Sequence, residues 1–192
     1  MERALAKRNL KIAATATLER NTVDVAAVVR TINPTRPDAV VMVSAYKSVA
    51  AFVKEMKKAG STTQFHNVSF VGSQPLSKEL GADGSGVAVS QVVPFTWGAS
   101  VPVTRDYQRM MNASGAKEYS FTSLEGFIAA RIMVEGIKRA GKDLTREKLI
   151  SALESMNNVD LGGFQVTFSP KNHNASSYVN LTMIGKTGQF VR

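Results

Sequence analysis

The chain has 192 residues, of which 44% are apolar and 20% are charged, and it carries a net charge of +9 and no cysteine. These fractions are typical of folded globular proteins and argue against a disordered chain, and the lack of cysteine excludes disulfides and thiolate ligands. No apolar run approaches the roughly 20 residues of a membrane-spanning helix. The first residues lack the apolar region of a signal peptide, so none is expected.

The basic residues are scattered along the chain and form only short pairs, such as Lys7-Arg8 and Lys57-Lys58. The sequence has no basic helix, no zinc-finger spacing and no aromatic-studded RNA-binding strand. We therefore interpret the positive charge as solvated helix faces that favour solubility. No nucleic-acid partner is predicted.

Three elements are predicted before residue 35: the end of a helix over 1–8, an alternating strand over 11–18 and a helix over 23–32. Thr22 is placed to cap the third element, with Asp24 in its first turn. Pro34 then ends that helix.

The most informative stretch runs from Pro37 to Gly60. Five consecutive apolar residues over 39–43 predict a parallel strand that is covered on both faces. Apolar residues then recur at helical spacing, and lysines fill the last turn, where they complement the helix dipole. The apolar positions of this helix are Val49, Phe52, Val53 and Met56. Ligands of open α/β sheets bind beyond the carboxyl ends of strands, so the turn at 44–46 is the first place to look for function.

Strands and helices continue to alternate along the rest of the chain. The later predicted elements are strands over 68–71 and 87–93 joined by a Gly/Ser-rich connection, a crossover over 94–102, helices over 102–113 and 123–140, a helix capped by Thr145, and strands over 164–168, 178–184 and 189–191. This order predicts an α/β fold with a mainly parallel sheet and flanking helices. The helix over 123–140 is apolar around much of its girth and is expected to need cover on more than one side.

Several segments resemble, in their order, the amino-acid and amide type of periplasmic substrate-binding protein. These proteins are the receptors of ABC importers and are related to branched-chain amino-acid binding proteins. The segments that carry the resemblance are 37–60, 64–73, 84–94, 123–130, 140–147 and 180–191. The resemblance covers nearly the whole chain.

The resemblance implies that the chain corresponds to the later half of a two-lobed receptor, a lobe plus part of a second one. It assigns 1–93 to an α/β unit of the second lobe, 94–170 to the crossover and closing helices of the first lobe, and 171–192 to strands that return to the second lobe. Surfaces that the missing parts would cover are then open, above all on the helix over 123–140. Self-association through exposed apolar helix faces is therefore expected.

No constellation of residues points to catalysis or to a metal site. His66 and His173 have no carboxylate or cysteine at ligand spacing, and we interpret both as surface or turn residues. The glycines over 81–86 follow the order G-x-x-G-x-G but lead into a strand, so they do not form a phosphate loop. No nucleophile elbow, Walker lysine or zinc-protease motif is present. The chain is therefore not expected to be an enzyme, and no cofactor or metal is predicted.

Two charged residues on the helix over 123–140 are also interpreted as structural. Glu125 falls in the first turn, where negative charge suits the helix dipole. Arg131 is expected to pair with Glu135 at a spacing of four residues.

The candidate ligand-binding residues are Ser44, Ala45 and Tyr46 after one strand, and Ser73 and Gln74 in the loop after the next. The ring of Tyr46 can cover an aliphatic ligand while its hydroxyl reaches a carboxylate or an amine. In the resembling receptors an acidic residue near the place of Gln74 pairs with the ammonium group of the ligand. Gln74 is neutral and lacks that charge-assisted contribution. This departure counts against a free amino acid and leaves room for carboxylates, aromatic acids or amides.

The function implied by the resemblance is solute binding for an ABC importer, with a small polar ligand (amino acid, amide or carboxylate), a membrane permease as partner and a periplasmic location. The chain is expected to act as a truncated form that binds ligand weakly, because one wall of the cleft is missing. The alternative is a ligand-sensing or dimerising regulatory module of the same fold without a role in transport.

Overall fold

The computed structural model describes residues 1–116 and 118–192. The helices and strands of these residues are, in chain order, α1 (Glu2–Ala6), α2 (Ala26–Ile32), β1 (Ala39–Met42), α3 (Tyr46–Lys58), β2 (Gln64–Val68), α4 (Ser73–Leu80), β3 (Ala88–Gln91), α5 (Pro102–Ala113), α6 (Phe121–Ala140), α7 (Arg146–Glu154), β4 (Val159–Asp160), β5 (Gln165–Val166), β6 (Asn180–Ile184) and β7 (Phe190–Val191). Short 3-10 turns occupy Asn33–Thr35, Ser69–Val71 and Gly81–Gly84.

The chain divides into two compact units. The sheet unit comprises residues 1–90 and 181–192, and the helical unit comprises residues 91–180. The assignment of 1–93, 94–170 and 171–192 to the lobes of a longer receptor remains a prediction.

The sheet unit is built on five strands in the order β1-β2-β3-β6-β7. β1, β2 and β3 are parallel, and β6 and β7 form an antiparallel pair. Thr182 of β6 donates a buried hydrogen bond from Oγ1 to the carbonyl of Val89 in β3, at 3.0 Å. The predicted α/β fold with a mainly parallel sheet and flanking helices is confirmed.

The helix α3 was predicted correctly because its sequence carries clear local signals. Its four apolar positions at helical spacing are all buried, and Phe52 packs edge-on against Phe65 of β2. Lys57 and Lys58 lie in the last turn. Gly60 ends the helix in the left-handed conformation, at φ 78°, which glycine adopts without strain.

Three predictions for the first 43 residues are wrong. Residues 11–18 form no strand. The helix α2 begins only at Ala26, because Thr22 and Asp24 accept hydrogen bonds from backbone amides two residues ahead and hold the chain in turns. The segment 39–43 is not covered on both faces, since β1 lies at the edge of the sheet and leaves Val41 and Val43 48% and 72% exposed.

The region after β1 contains a helix that the sequence analysis missed. The strand predicted over 68–71 lies earlier, at Gln64–Val68, and 69–71 form a 3-10 turn. The predicted Gly/Ser-rich connection includes α4, whose Leu76 and Leu80 are buried one helical turn apart. An amphipathic helix needs an apolar stripe, and here the stripe is only two residues long. The many serines and glycines around it made the region look like a loop.

The helical unit follows the predicted pattern more closely. The bounds of α5 agree with the prediction, and Thr145 caps α7 by accepting a hydrogen bond from the amide of Lys148 at 3.2 Å. Tyr107 of α5 is buried, and its hydroxyl lies 2.5 Å from Oγ of Ser123 on α6. β4 and β5 form a small antiparallel pair. The outer side of α6 is exposed at Met133, Val134 and Ile137.

Candidate ligand-binding site

The candidate site lies where two adjacent strands of the sheet unit end. β1 and β2 are parallel neighbours, with Met42 opposite Asn67, so their carboxyl ends meet at one edge of the sheet. Beyond β1 the chain passes through Ser44 and Ala45 into α3, and beyond β2 it passes through a 3-10 turn into α4. The fold therefore brings the amino ends of two helices to the edge where ligands of α/β sheets bind.

The amino end of α3 holds three of the predicted site residues. Ala45 is the N-cap in an extended conformation, and its carbonyl accepts a hydrogen bond from the amide of Val49 at 3.0 Å. Among the described residues no side chain caps this end of the helix. Tyr46 is the first helical residue, and Ser44, Ala45 and Tyr46 are all half-buried. The first-turn amides, with the positive end of the helix dipole, suit a negatively charged ligand group.

The amino end of α4 holds the other two predicted residues. Gly72 is the N-cap in the left-handed conformation, at φ 79°, and its carbonyl accepts from the amide of Leu76 at 2.9 Å. Ser73 and Gln74 are the first helical residues, so their predicted placement in a loop is wrong. Ser73 is buried and Gln74 half-buried. The amide side chain of Gln74 therefore lies in a helical first turn at the same edge of the sheet as Tyr46.

A buried polar residue near this edge was not singled out from the sequence. Asn67, the last but one residue of β2, is 3% exposed, and its Oδ1 accepts a hydrogen bond from the amide of Val68 at 2.8 Å. Its Nδ2 has no partner among the described residues. A buried amide donor without a partner is costly. The signal available in the sequence was its position two residues after Phe65, which places both side chains on the same face of a strand.

The other charged and titratable residues take structural positions. His66 lies within β2 rather than in a turn, and His173 is exposed beside Glu154, with Nε2 to Oε1 at 2.9 Å. Nowhere in residues 1–116 and 118–192 do three or more potential ligands gather to hold a metal ion.

The prediction of an ion pair between Arg131 and Glu135 is wrong. Arg131 pairs with Asp106 of α5 at 2.9 Å, and Glu135 pairs with Arg139 at 2.8 Å. The neighbouring helix offers Arg131 a carboxylate that spacing along its own helix could not reveal. Glu125 is exposed in the first turns of α6.

Comparison with known proteins decides the family. The profile of one family, described as periplasmic binding protein, matches residues 1–189. The chain belongs to the periplasmic binding protein family. Members of this family act in the periplasm, and in the described part of this chain no helix is long and apolar enough to span a membrane.

Solved structures of the family superpose on nearly all of the chain. A substrate-binding periplasmic protein from Ralstonia solanacearum has 30% sequence identity and a TM-score of 0.86, over 99% of this chain and 55% of that protein. A possible leucine/isoleucine/valine-binding protein from Rhodopirellula baltica has 32% identity and a TM-score of 0.81, over 91% of this chain and 48% of that protein.

More distant structures share the fold. A branched-chain amino acid ABC transporter protein from Thermus thermophilus, solved with bound valine, has 21% identity and a TM-score of 0.78, over 98% of this chain and 53% of that protein. The chain therefore spans about half the length of the solved relatives that it matches. Among curated proteins there is no match.

Proposed function

We propose that this chain is a solute-binding component of an ABC importer for a small polar ligand: an amino acid, an amide or a carboxylate. The observation that carries the proposal is the similarity of 99% of the chain, at 30% identity, to a substrate-binding periplasmic protein. A relative at 32% identity is described as a possible leucine/isoleucine/valine-binding protein. The proposed partner is a membrane permease, and the proposed location is the periplasm.

The proposed binding residues are Ser44, Ala45 and Tyr46 at α3 and Ser73 and Gln74 at α4. The amides at the uncapped amino end of α3 suit the carboxylate of the ligand. The half-buried ring of Tyr46 offers an apolar cover for an aliphatic chain, with the hydroxyl as a polar handle. Ser73 and Gln74 supply neutral hydrogen-bonding groups from the neighbouring helix.

The charge of these groups favours a ligand carboxylate over a ligand ammonium. Two helix amino ends present partial positive charge, and the amide of Gln74 carries no formal charge. An ammonium group at Gln74 would form a neutral-acceptor hydrogen bond, which is about half as strong as one to a carboxylate. We therefore infer that removal of the ligand's ammonium group costs little, whereas removal of its carboxylate costs much.

Calorimetry with three matched compounds tests this proposal. Leucine carries both charged groups, 4-methylpentanoate lacks the ammonium, and leucinamide lacks the carboxylate. All of the proposed contacts come from one unit, so we expect weak binding, with a Kd on the order of 1 mM for leucine. We expect 4-methylpentanoate to bind at least as well as leucine, and leucinamide to bind roughly tenfold or more weakly, since charged hydrogen bonds contribute about 1.5–3 kcal/mol.

Two variants identify the site. Y46F removes the hydroxyl and should weaken binding of 4-methylpentanoate about fivefold, since one hydrogen bond contributes about 1 kcal/mol. Q74E should improve leucinamide relative to 4-methylpentanoate by adding a negative charge. The matched controls are Y178F and Q165E in the helical unit, which should change neither affinity. If the controls alter binding as much as the site variants, or if leucinamide binds best to the unmodified chain, the proposed site is wrong.

The exposed side of α6 supports a second proposal, which is self-association. Met133, Val134 and Ile137 are 45%, 51% and 41% exposed and lie on neighbouring positions of one helix. Exposed apolar patches of this kind mark association surfaces. We expect light scattering to give a mass above 20.7 kDa that M133K lowers, whereas M110K, at an exposed methionine of α5, leaves it unchanged. A monomer at all concentrations contradicts the proposal, and a stable dimer that ignores all three ligands favours the regulatory-module alternative.

A further inference from the structure

The buried side chain of Asn67 points from β2 toward the helices that carry the candidate site. Asn67 lies one residue before the end of β2 and is 3% exposed. Side chains alternate along a strand, so Asn67 shares a face with Phe65, whose ring packs against Phe52 of α3. The side chain of Asn67 therefore enters the layer in which α3 and α4 pack side by side.

Asn67 also lies at the level of the amino end of α3. The strands β1 and β2 are parallel, so α3, which joins them, runs in the opposite direction. Asn67 is two residues beyond Phe65, which brings it about 7 Å closer to the carboxyl edge of the sheet. Tyr46, the first residue of α3, is about 9 Å closer to the same edge than Phe52. The amide group of Asn67 is thus placed beside the first turn of α3.

The hydrogen bonding of Asn67 leaves a donor for a ligand. Its Oδ1 accepts a hydrogen bond from the amide of Val68 at 2.8 Å, and because a backbone N–H can only donate, this bond distinguishes the oxygen of the side-chain amide from its nitrogen. Nδ2 therefore carries the two N–H groups, and it has no partner among the described residues. A buried donor of this kind destabilises a protein unless a bound group accepts from it.

The first turn of α3 supplies further donors beside Asn67. The amides of Tyr46, Lys47 and Ser48 precede that of Val49, which is the first to bond back to a carbonyl at the start of the helix. Among the described residues no side chain caps these amides. The turn is held in place, because Ser48 donates from Oγ to the carbonyl of Thr22 at 2.6 Å.

The charge around this turn is positive. Neither α3 nor α4 has an acidic residue in its first turn. Lys47 is instead the second residue of α3 and is exposed, although a cation is unfavourable beside the positive end of a helix dipole. A bound anion would offset both the dipole and the charge of this lysine. The buried donor and the electrostatics therefore favour the same kind of ligand group.

We propose that Asn67 determines the specificity of the ligand-binding site, and that its Nδ2 donates a hydrogen bond to the carboxylate of the ligand. The other carboxylate oxygen accepts from the first-turn amides of α3. This inference rests on the proposed function and adds a residue to its site. Because Nδ2 is closed to water, a ligand oxygen that reaches it displaces a neighbouring side chain, and the bond forms away from solvent, where it is stronger. An ammonium group cannot take this place, since Nδ2 only donates.

Acetate tests the carboxylate contact apart from the rest of a ligand. NMR follows the side-chain N–H signals of Asn67 and the backbone amide signals of residues 46–48 while sodium acetate is added to the unmodified chain. Sodium chloride at the same ionic strength is the control. We expect acetate alone to give saturable shifts of both sets of signals, downfield for Asn67, with a Kd above the roughly 1 mM expected for leucine. No shift with acetate, or equal shifts with chloride, overturns the proposal.

Two variants separate a ligand contact from a structural role. N67L removes the N–H groups at nearly constant volume, so we expect at least tenfold weaker binding of acetate and 4-methylpentanoate, with an equal or higher thermal midpoint because an unpaired buried donor is lost. The matched control is T104V, since Thr104 is 0% exposed and its Oγ1 also has no partner in the described part of the chain. T104V should leave both affinities unchanged. Equal effects of the two variants on binding contradict the proposal, and the acetate titration decides it even if N67L unfolds.

The role of Asn67 and the proposed function fail in different ways. If leucine and 4-methylpentanoate bind the unmodified chain and N67L binds them equally well, solute binding is supported and the role of Asn67 is wrong. If acetate shifts the signals of Asn67 and residues 46–48 but the longer compounds bind no better than acetate, the carboxylate contact of Asn67 is supported and the proposed function is wrong.

Discussion

Two parallel strands of the sheet, β1 and β3, have similar sequences and different surroundings. The runs 39–43 and 87–93 are both mainly valine and alanine with few polar residues. In β3 the residues Ala88, Val89 and Gln91 are buried. In β1 no residue is buried, and Val41 is about half exposed.

The difference lies in the neighbours of each strand and not in the strands themselves. β3 has β2 on one side and β6 on the other, whereas β1 has β2 on one side and, within the described residues, no strand on the other. An apolar run therefore predicts that a strand will be buried, but the neighbouring elements decide whether it is. An apolar strand that stays exposed marks a surface against which no other element packs.

The largest expected contrast comes from placing a charge in each strand. V89D puts a carboxylate where the side chain is 0% exposed, and we expect a loss of more than about 4 kcal/mol in the free energy of unfolding, enough to unfold many domains. V41D in β1 should cost about 1 kcal/mol, chiefly through lower strand propensity, because water reaches this position. Urea unfolding followed by circular dichroism measures both. If V41D and V89D lower the free energy of unfolding equally, Val41 is shielded from water in solution.

A smaller effect is expected from the contact between β3 and β6. T182V removes the hydroxyl that donates to the carbonyl of Val89 and keeps the shape of the side chain. We expect a loss of about 1 kcal/mol, the net contribution of a typical buried hydrogen bond. T17V, at an exposed residue outside the helices and strands, is the control and should change stability by less than about 0.5 kcal/mol. An unchanged T182V protein would mean that this side-chain hydrogen bond adds nothing measurable to the contact between β3 and β6.

The parts of the fold that were predictable from the sequence rest on local signals. The bounds of α5 follow from a proline in its first turn, and the start of α7 follows from the Thr145 cap. The helix α3 follows from its apolar stripe and from Gly60. In each case residues within a few positions determine the backbone, so a single sequence contains the information.

The errors concern features that depend on distant parts of the chain. Residues 11–18 alternate in sequence but form no strand, because pairing needs a neighbouring strand that a local pattern cannot supply. The partner of Arg131 lies on α5, 25 residues away. The helix α4 escaped notice because its two buried leucines lie among serines and glycines. The sequence pattern identified the apolar faces of helices and strands but not the elements that pack against them.

In the candidate site, too, features set by local sequence were predictable and features that depend on distant residues were not. The position of Tyr46 just beyond β1 was predictable, because an apolar run followed by a helical stripe places a turn between them. That Ser73 and Gln74 begin a helix was not predictable once α4 was missed. Asn67 needed the structure, since only burial shows that its amide lacks a partner.

The smallest expected effect is the most informative about the outer side of β1. Threonine has the branched shape of valine with a hydroxyl in place of one methyl, so the change from valine to threonine reports mainly on access to water. V43T should leave the free energy of unfolding within about 0.5 kcal/mol of the unmodified value, since Val43 is 72% exposed. V89T, its buried counterpart in β3, should cost about 1–3 kcal/mol, because the hydroxyl enters an apolar environment. If V43T costs as much as V89T, Val43 is shielded from water in solution, and another molecule must then cover the outer side of β1 at the protein concentrations used.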